Sequence, residues 1–299
     1  MPASSTERIV QGHFPTIARS ISLIENEVEG YEQLLQALPS VNTPVIGITG
    51  PPGAGKSTLT DALIGEIIKQ QKNVAILCVD PSSPFNHGAL LGDRVRMSNW
   101  YTNPKVYIRS LASRGSLGGL SPKIIEITDL LKAAGFDYII IETVGIGQSE
   151  IEITGLADTT VVVLVPEAGD EVQTMKAGLM EIADIFVVNK ADRPDADVYI
   201  RNLHLMLAPA FRRSEEEVAI VKTIASQQDG ILELFGKITA HINRGTKNEK
   251  KDWLLAEKAW QLIQKKRMND IDRTALNEKI KEARNAGSFN LYKFLETYY

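Results

Sequence analysis

Apolar positions follow two alternating patterns between residue 41 and about residue 245. Short runs rich in β-branched residues, such as Val161 to Val165, alternate with stretches whose apolar residues recur at helical spacing, such as Leu59 to Ile68. Strands that alternate with helices form parallel sheets, and strands covered on both faces are apolar at every position. The pattern predicts an α/β fold with a mostly parallel, twisted sheet flanked by helices. The predicted strands are residues 45–49, 74–79, 105–110, 137–142, 159–165, 184–189 and 218–224.

Helical extensions are predicted on both sides of this region. Residues 1–40 are polar with helical apolar spacing, and residues 246–299 are charge-rich and helical. The C-terminal arm has few apolar residues of its own, so we expect it to pack against either a second subunit or the same domain. The predicted organisation is an N-terminal helical extension over 1–40, a nucleotide-binding domain over 41–245, and a C-terminal arm over 246–299 that could serve dimerisation.

Composition excludes several classes of protein. The 299 residues carry a formal net charge of −4, which argues against nonspecific binding to nucleic acid or anionic membranes. No apolar run approaches the roughly 18 residues that span a bilayer, and the N-terminus lacks the apolar segment of a signal peptide. A single cysteine, Cys78, excludes an internal disulfide and a cysteine metal cluster. We therefore expect a cytoplasmic protein with no nucleic-acid or membrane partner.

Residues 50–58, Gly-Pro-Pro-Gly-Ala-Gly-Lys-Ser-Thr, match the phosphate-loop pattern G-x-x-x-x-G-K-[ST] between a predicted strand and a predicted helix. The glycines allow backbone N–H groups to turn inward, and the helix N-terminus adds positive potential. Lys56 can reach the β- and γ-phosphates, and the Ser57 hydroxyl can bind Mg²⁺. The motif predicts a P-loop NTPase whose phosphate contacts come from Gly50, Gly53, Ala54, Gly55, Lys56, Ser57 and Thr58.

A second motif, Asn189-Lys190-Ala191-Asp192, follows a later strand and indicates guanine. The Asp192 carboxylate can accept hydrogen bonds from guanine N1–H and the 2-amino group. Adenine has neither donor there, so it would leave a desolvated carboxylate unpaired. Asn189 and Lys190 would support the loop and pack on the base, and Thr223 and Ala225 would contribute from the next loop. Taken alone, the four residues also suit a helix N-cap, but their position favours GTP and GDP.

Acidic residues at strand ends predict the metal side of the site. Asp80 and Glu142 each close an apolar run, where a carboxylate can contact Mg²⁺, and Gly145 can bring a backbone N–H to the γ-phosphate. Asp93 could carry a carboxylate to the metal or the attacking water, although an ordinary turn aspartate fits equally well. For Gln148, a solvated loop residue is the alternative. The candidate metal ligands are Ser57, Asp80, Asp93 and Glu142, and the candidate catalytic residues are Lys56, Asp93, Glu142 and Gln148.

Taken together, these segments resemble the MeaB/ArgK-type GTPases, the methylmalonyl-CoA mutase-associated family within the P-loop metallochaperone GTPases. The likeness runs from about residue 41 to about residue 245. At residues 86–88, Asn86-His87-Gly88 departs from the small residue and two glycines common in the family, which affects the expected loop geometry. The C-terminal arm also looks short for the family. The most specific matches are residues 80–83, 88–97, 142–150 and 189–192.

The resemblance implies a GTPase that binds GTP with Mg²⁺, hydrolyses it slowly and forms a homodimer. Members attend a cobalamin-dependent acyl-CoA mutase, usually methylmalonyl-CoA mutase, gating adenosylcobalamin loading and helping to remove damaged cofactor. An adenosyltransferase is a further partner that the resemblance leaves open. By the same likeness, Asp80, Asp93 and Glu142 line the metal and water region, and residues 166–176 resemble a switch that communicates with the mutase.

We expect in-line attack of water on the γ-phosphate, with slow turnover that a partner accelerates by ordering the switch loops. Two alternatives remain open. A metallochaperone GTPase for another metal enzyme usually carries Cys- or His-rich sites, whereas this chain has one Cys and four His. A kinase linked to amino-acid transport would need an acceptor pocket with a base, and the guanine motif argues against an ATP kinase.

Overall fold

The computed structural model describes residues 4–80, 97–113, 120–145, 149–166, 182–211, 218–245, 249–287 and 289–298. Within these ranges the chain forms a seven-stranded sheet in which every neighbouring pair is parallel. The predicted α/β fold is therefore confirmed, and each predicted strand is present with ends shifted by at most a few residues. The strands are β1 Val45–Thr49, β2 Val74–Asp80, β3 Val106–Ala112, β4 Tyr138–Glu142, β5 Thr159–Leu164, β6 Ile185–Asn189 and β7 Ala219–Thr223.

The strand order is β3-β2-β4-β1-β5-β6-β7, which puts β1 at the centre. β1 pairs with β4 on one side and with β5 on the other. Because all strands are parallel, their carboxyl ends lie at the same edge, where ligands bind in open α/β sheets. The chain reverses its direction of winding around β1, so the loop after β1 lies at the crevice between the two halves.

Helices cover both faces of the sheet. The side chains of Ile46 and Ile48 belong to a core cluster with apolar residues of the helices after β1 and after β7. Gly47 faces the opposite side, where Ile153 and Ala157 pack close to it. The helices are α1 Ser5–Val10, α2 Phe14–Glu25, α3 Tyr31–Gln36, α4 Lys56–Lys69, α5 Ile124–Ala133, α6 Ser149–Leu156, α7 Ala196–Phe211, α8 Ile231–Arg244, α9 Glu249–Arg267, α10 Arg273–Asn285 and α11 Leu291–Leu295.

The N-terminal helices are anchored to the edge strand β3. Arg109 of β3 forms an ion pair of 2.6 Å with Glu25 of α2, and both side chains are largely buried. The Phe14 ring meets Tyr107 of β3 edge-on with centroids 5.3 Å apart. An ion pair and an aromatic contact at opposite ends of α2 hold that helix against the sheet.

By the contacts of its residues the chain divides into two compact units, Met1–Lys251 and Asp252–Tyr299. The first contains the whole sheet. The second contains most of α9 together with α10 and α11, and α10 begins after Asp272, whose carboxylate accepts a hydrogen bond of 2.7 Å from the Ala275 N–H. Its large apolar side chains include Trp253 and Trp260, which are 60% and 58% exposed. No helix in the described part of the chain is long and apolar enough to cross a membrane.

Candidate nucleotide-binding site

The phosphate-loop motif forms the connection between β1 and α4, as predicted. Gly55 is the N-cap of α4 with φ +88°, and an added Cβ there would overlap the Asn189 side-chain amide. Glycine is therefore required at this position for both its backbone conformation and its small size. α4 begins at Lys56. The N–H groups of its first turn point out of the helix toward the loop, and this geometry suits an anion.

Lys56 is buried against the loop that precedes it. Its side chain is 7% exposed, and Nζ donates hydrogen bonds to the carbonyl oxygens of Gly50 at 3.0 Å and Pro51 at 3.1 Å. An ammonium group at the centre of the loop adds a full positive charge to the partial charges of the helix N-terminus. The arrangement concentrates positive potential where the motif predicts phosphate.

The side chain of Glu142, at the end of β4, forms hydrogen bonds with the start of α4. The Ser57 hydroxyl donates a 2.6 Å hydrogen bond to Glu142 Oε1, and the Thr60 hydroxyl lies 2.9 Å from Oε2. Glu142 is 2% exposed, Ser57 is 6% exposed and Thr60 is fully buried. Sequence reasoning found Ser57 and Glu142 but missed Thr60. Residues 57 and 60 share a face of α4, but that spacing alone gave no sign of a carboxylate partner 82 residues away.

Asp80 ends β2 beside this group and is 2% exposed. The registry of β2 with β4 pairs Cys78 with Glu142, so the two carboxylates lie at the same edge of adjacent strands. The structure therefore brings Ser57, Asp80 and Glu142 to one end of the sheet. The other two predicted residues on this side, Asp93 and Gln148, lie outside the described residues, as does most of the segment 166–176.

Hydroxyl and carboxylate oxygens are the donors that Mg²⁺ prefers, so the chemistry of this group fits that ion. The described residues contain no group of three or more His, Cys, Asp or Glu side chains that could hold a metal ion. Mg²⁺ does not need one, because it is usually bound through one or two carboxylates, substrate phosphates and water. The donor set therefore suits a magnesium ion shared with a nucleotide.

Gly145 approaches the phosphate loop closely. It is buried with φ +89°, and an added Cβ would lie 2.5 Å from the Gly50 carbonyl oxygen and closer still to Lys56 Nζ. The segment that leads to it is fixed by Thr143, whose N–H donates to Ile48 O at 3.0 Å and whose hydroxyl donates to Thr49 Oγ1 at 2.9 Å. The backbone of Gly145 thus lies against the predicted phosphate-binding groups.

Asn189 joins three loops at the side of the site where the sequence predicts guanine. It is 2% exposed, and its amide nitrogen donates to Ala54 O at 2.9 Å. Its amide oxygen accepts hydrogen bonds of 3.1 Å from the Thr223 hydroxyl and from the Ala225 N–H. The side chain thus uses its donor and its acceptor to tie the phosphate loop to the loops after β6 and β7.

Lys190 and Asp192 extend from this junction. Lys190 has φ +56°, and its Nζ donates to Gly53 O at 2.8 Å. Asp192 is exposed in the turn that follows β6. Helix α7 does not begin until Ala196, which excludes Asp192 as its N-cap, and the exposed Asp192 side chain is accessible to a ligand. The Ala191 N–H donates to Thr223 O at 3.1 Å, so the two predicted base-contacting loops are joined directly.

An ion pair borders the same loops. Lys222 of β7 pairs with Asp197 in the first turn of α7. The hydrogen bond and the charge of Lys222 lower the pKa of the Asp197 carboxyl below its ordinary value. Both side chains are exposed, so the pair should contribute little to stability.

Comparison with known proteins agrees with this geometry. A Pyrococcus abyssi protein named as a GTPase is 48% identical over 240 residues, covering 79% of this chain and 74% of that protein. The fused isobutyryl-CoA mutase of Geobacillus kaustophilus is 39% identical over 255 residues, covering 80% of this chain and 23% of that protein. The crystal structure of a LAO/AO transport system kinase matches with TM-score 0.68 and 25% identity over 98% of this chain and 94% of that one.

A family model described as Methylmalonyl Co-A mutase-associated GTPase MeaB matches residues 17–280, which include the whole sheet and every loop of the candidate site. The motifs that carry the resemblance in the sequence thus occur within a match that spans most of the chain. Together with the P-loop fold and relatives named as GTPases, this match shows that the chain belongs to the MeaB family of GTPases.

Proposed function

We propose that this protein is a Mg²⁺-dependent GTPase that serves as a chaperone of a cobalamin-dependent acyl-CoA mutase, with methylmalonyl-CoA mutase as the first candidate client. The observation that carries the nucleotide part is the junction at Asn189. Its contacts with Ala54, Thr223 and Ala225 join the phosphate loop to both loops expected to read guanine. GTP needs all three segments at once, and they lie within hydrogen-bond distance of each other.

In the proposed reaction, water attacks the γ-phosphate in line with the bond to the leaving GDP. Lys56 and the first-turn N–H groups of α4 stabilise charge on the phosphate oxygens. When bound, Mg²⁺ would neutralise charge on the β- and γ-phosphates, held by Ser57 with Asp80 and Glu142 nearby. Asp93 and Gln148 remain proposed groups near the attacking water. With no strong base identified, we propose slow turnover that increases when the client orders the surrounding loops.

Gly145 is the proposed sensor of the γ-phosphate. Its backbone lies against Lys56 and Gly50, so a phosphate in the loop would have the Gly145 N–H within reach. Loss of the γ-phosphate on hydrolysis would release that contact and change the segment after Gly145, as in other nucleotide switches. A client that contacts the segment could then distinguish GTP from GDP.

The mutase part of the proposal is supported by the family and by one relative. The family model describes a GTPase associated with methylmalonyl-CoA mutase. In the Geobacillus kaustophilus protein, named as a fused isobutyryl-CoA mutase, the matching region covers 23% of the length. A homologous region within a mutase polypeptide supports a client of the same chemical class. We further propose a cytoplasmic homodimer, with an adenosyltransferase as a candidate third component.

Two measurements test these parts separately. Calorimetry with GTP, GDP and ATP tests the nucleotide, and we expect uptake of both guanine nucleotides with Mg²⁺ and much weaker uptake of ATP. Pull-down of purified methylmalonyl-CoA and isobutyryl-CoA mutases, with a nonhydrolysable GTP analogue present, tests the client. Binding of ATP without GTP would overturn the first part, and retention of neither mutase would overturn the second.

A phosphoryl-transfer role is the second candidate, because one similar structure is described as a LAO/AO transport system kinase. The two functions differ in where the γ-phosphate goes. GTP radiolabelled at the γ-phosphate distinguishes them. A GTPase releases the label as inorganic phosphate, whereas a kinase transfers it to an acceptor. We expect release as phosphate, with the rate raised by the client mutase.

A further inference from the structure

Thr60 has no part in the predicted site, yet its hydroxyl reaches it. The residue lies one turn after Lys56 on α4 and is fully buried. Its oxygen is 3.0 Å from Lys56 O and 2.9 Å from Glu142 Oε2. A hydroxyl has one hydrogen to donate, and a carboxylate is a stronger acceptor than a backbone carbonyl. The hydrogen is therefore directed mainly to Glu142.

Thr60 gives Glu142 its second point of attachment. Ser57 holds Oε1 at 2.6 Å, and Thr60 holds Oε2 at 2.9 Å. Hydroxyls on both oxygens define the plane of the carboxylate more tightly than a hydroxyl on one oxygen does, because the terminal bond of a Glu side chain has a broad rotational preference. Because Ser57 donates its hydrogen to Glu142, the orientation of Glu142 also determines where the lone pairs of the Ser57 oxygen point.

From this geometry we propose that Thr60 is a positioning residue for the magnesium ion, acting through Glu142 on Ser57. The proposal rests on the function proposed above, in which Ser57 is a ligand of Mg²⁺ bound with the nucleotide. Hydrogen-bond partners that orient metal ligands typically change metal affinity about 10- to 100-fold when they are removed. Thr60 should therefore affect the metal requirement more than the affinity for the nucleotide itself.

The chain contains a matched control. Thr128 on α5 is also fully buried, and its hydroxyl donates to Ile124 O, four residues earlier, at 2.6 Å. The Thr60 oxygen lies 3.0 Å from Lys56 O, with the same spacing of four residues. T60V and T128V therefore both remove a buried hydroxyl that lies within 3.0 Å of the carbonyl oxygen four residues earlier, but T60V alone removes a contact with Glu142. T60S restores the hydroxyl and serves as the rescue variant.

The experiment measures release of fluorescent mant-GDP from the full-length protein over a range of Mg²⁺ concentrations, followed by kcat and KM for GTP. We expect T60V to raise the half-saturating Mg²⁺ concentration about tenfold. At saturating Mg²⁺ its KM should stay near the wild-type value. T60S and T128V should follow the wild-type magnesium curve.

The proposal is overturned if T60V and T128V give the same magnesium curve as the wild type, because Thr60 would then contribute only to packing. It is also overturned if T60S fails to restore what T60V loses, or if wild-type release does not respond to Mg²⁺. Should T60V not fold, T60A compared with T60S makes the same test. Parallel measurements with mant-ATP distinguish failure of the proposed GTPase function from failure of the proposed role of Thr60. Uptake of ATP alone would contradict the GTPase function, and the Thr60 variants would then be compared with ATP as the nucleotide.

Discussion

The side-chain amide of Asn189 donates a 2.9 Å hydrogen bond to the backbone carbonyl of Ala54, across 135 residues of sequence. Ala54 lies in the phosphate loop, and Asn189 ends β6 at the side of the site that is proposed to bind guanine. Both residues are buried. The bond makes the geometry of one motif depend on the other, so damage at either position should affect both nucleotide binding and folding.

Replacing Asn189 by Ala should destabilise the protein by about 2–3 kcal/mol, because three hydrogen bonds that the structure describes for this buried side chain lose their partner. Thr223→Val removes one of these three and should lose about 1 kcal/mol. Urea denaturation of the nucleotide-free protein measures both. Equal losses for the two variants would show that Asn189 does not act as the junction.

Asp192→Asn should reduce affinity for GTP about a hundredfold or more, because the exposed carboxylate is the proposed partner of two guanine donors. The same change should improve binding of xanthosine triphosphate, whose carbonyl at C2 can accept a hydrogen bond from the new amide. Calorimetry with GTP and xanthosine triphosphate measures this change in nucleotide preference. Asp195→Asn is the control, as it removes another exposed carboxylate of the same turn. A similar loss of GTP affinity in both variants would point to general disruption of the turn.

Gly145→Ala should abolish most GTP hydrolysis and lower stability, since the new Cβ would overlap Lys56 Nζ and the Gly50 carbonyl. Gly30→Ala separates this collision from backbone strain. Gly30 has φ +93°, close to the +89° of Gly145, but an added Cβ there has nothing within 4 Å. Strain of about 1–2 kcal/mol is expected in both variants. For Gly30→Ala we therefore expect a thermal unfolding temperature lowered by strain alone and a normal rate of phosphate release. A Gly145→Ala protein with normal hydrolysis would refute the proposed contact.

Stability should depend on pH through Asp137, which precedes β4. Burial alone would raise the pKa of its carboxyl, but hydrogen bonds from the Asn73 N–H at 2.8 Å and from Lys72 at 2.9 Å lower it below its ordinary value. Between the lowered folded pKa and the unfolded value near 4, the unfolded chain binds more protons. The stabilisation is thus complete above the unfolded pKa and is lost as pH falls through the folded pKa.

Asp137→Asn should therefore cost about 0.5–1 kcal/mol at pH 7 and progressively less below pH 4. Urea denaturation of wild type and variant at several pH values measures the difference. The exposed Asp129→Asn, whose carboxylate pairs with Lys132 on the same helix, is a suitable comparison and should change stability little. A difference between wild type and Asp137→Asn that grows as the pH falls would contradict the assigned sign.

Local patterns in the sequence determined the elements and the chemical types of the site. Buried parallel strands are apolar at every position, so runs such as Val161 to Val165 were recognisable without knowledge of their neighbours. The phosphate-loop and guanine motifs were equally readable, because each depends on a few residues at fixed spacing. Asp93 and Gln148 were predicted in the same way and stay predictions.

Tertiary structure decided the strand order and the contacts between distant residues. The pairing of β1 with β4 carries Glu142 to Ser57 and Thr60, which lie 85 and 82 residues away in the sequence. No local period encodes such a contact, because it depends on which strands pair and in which register. Thr60 looks like an ordinary helical residue until that pairing brings a carboxylate within 2.9 Å of its hydroxyl.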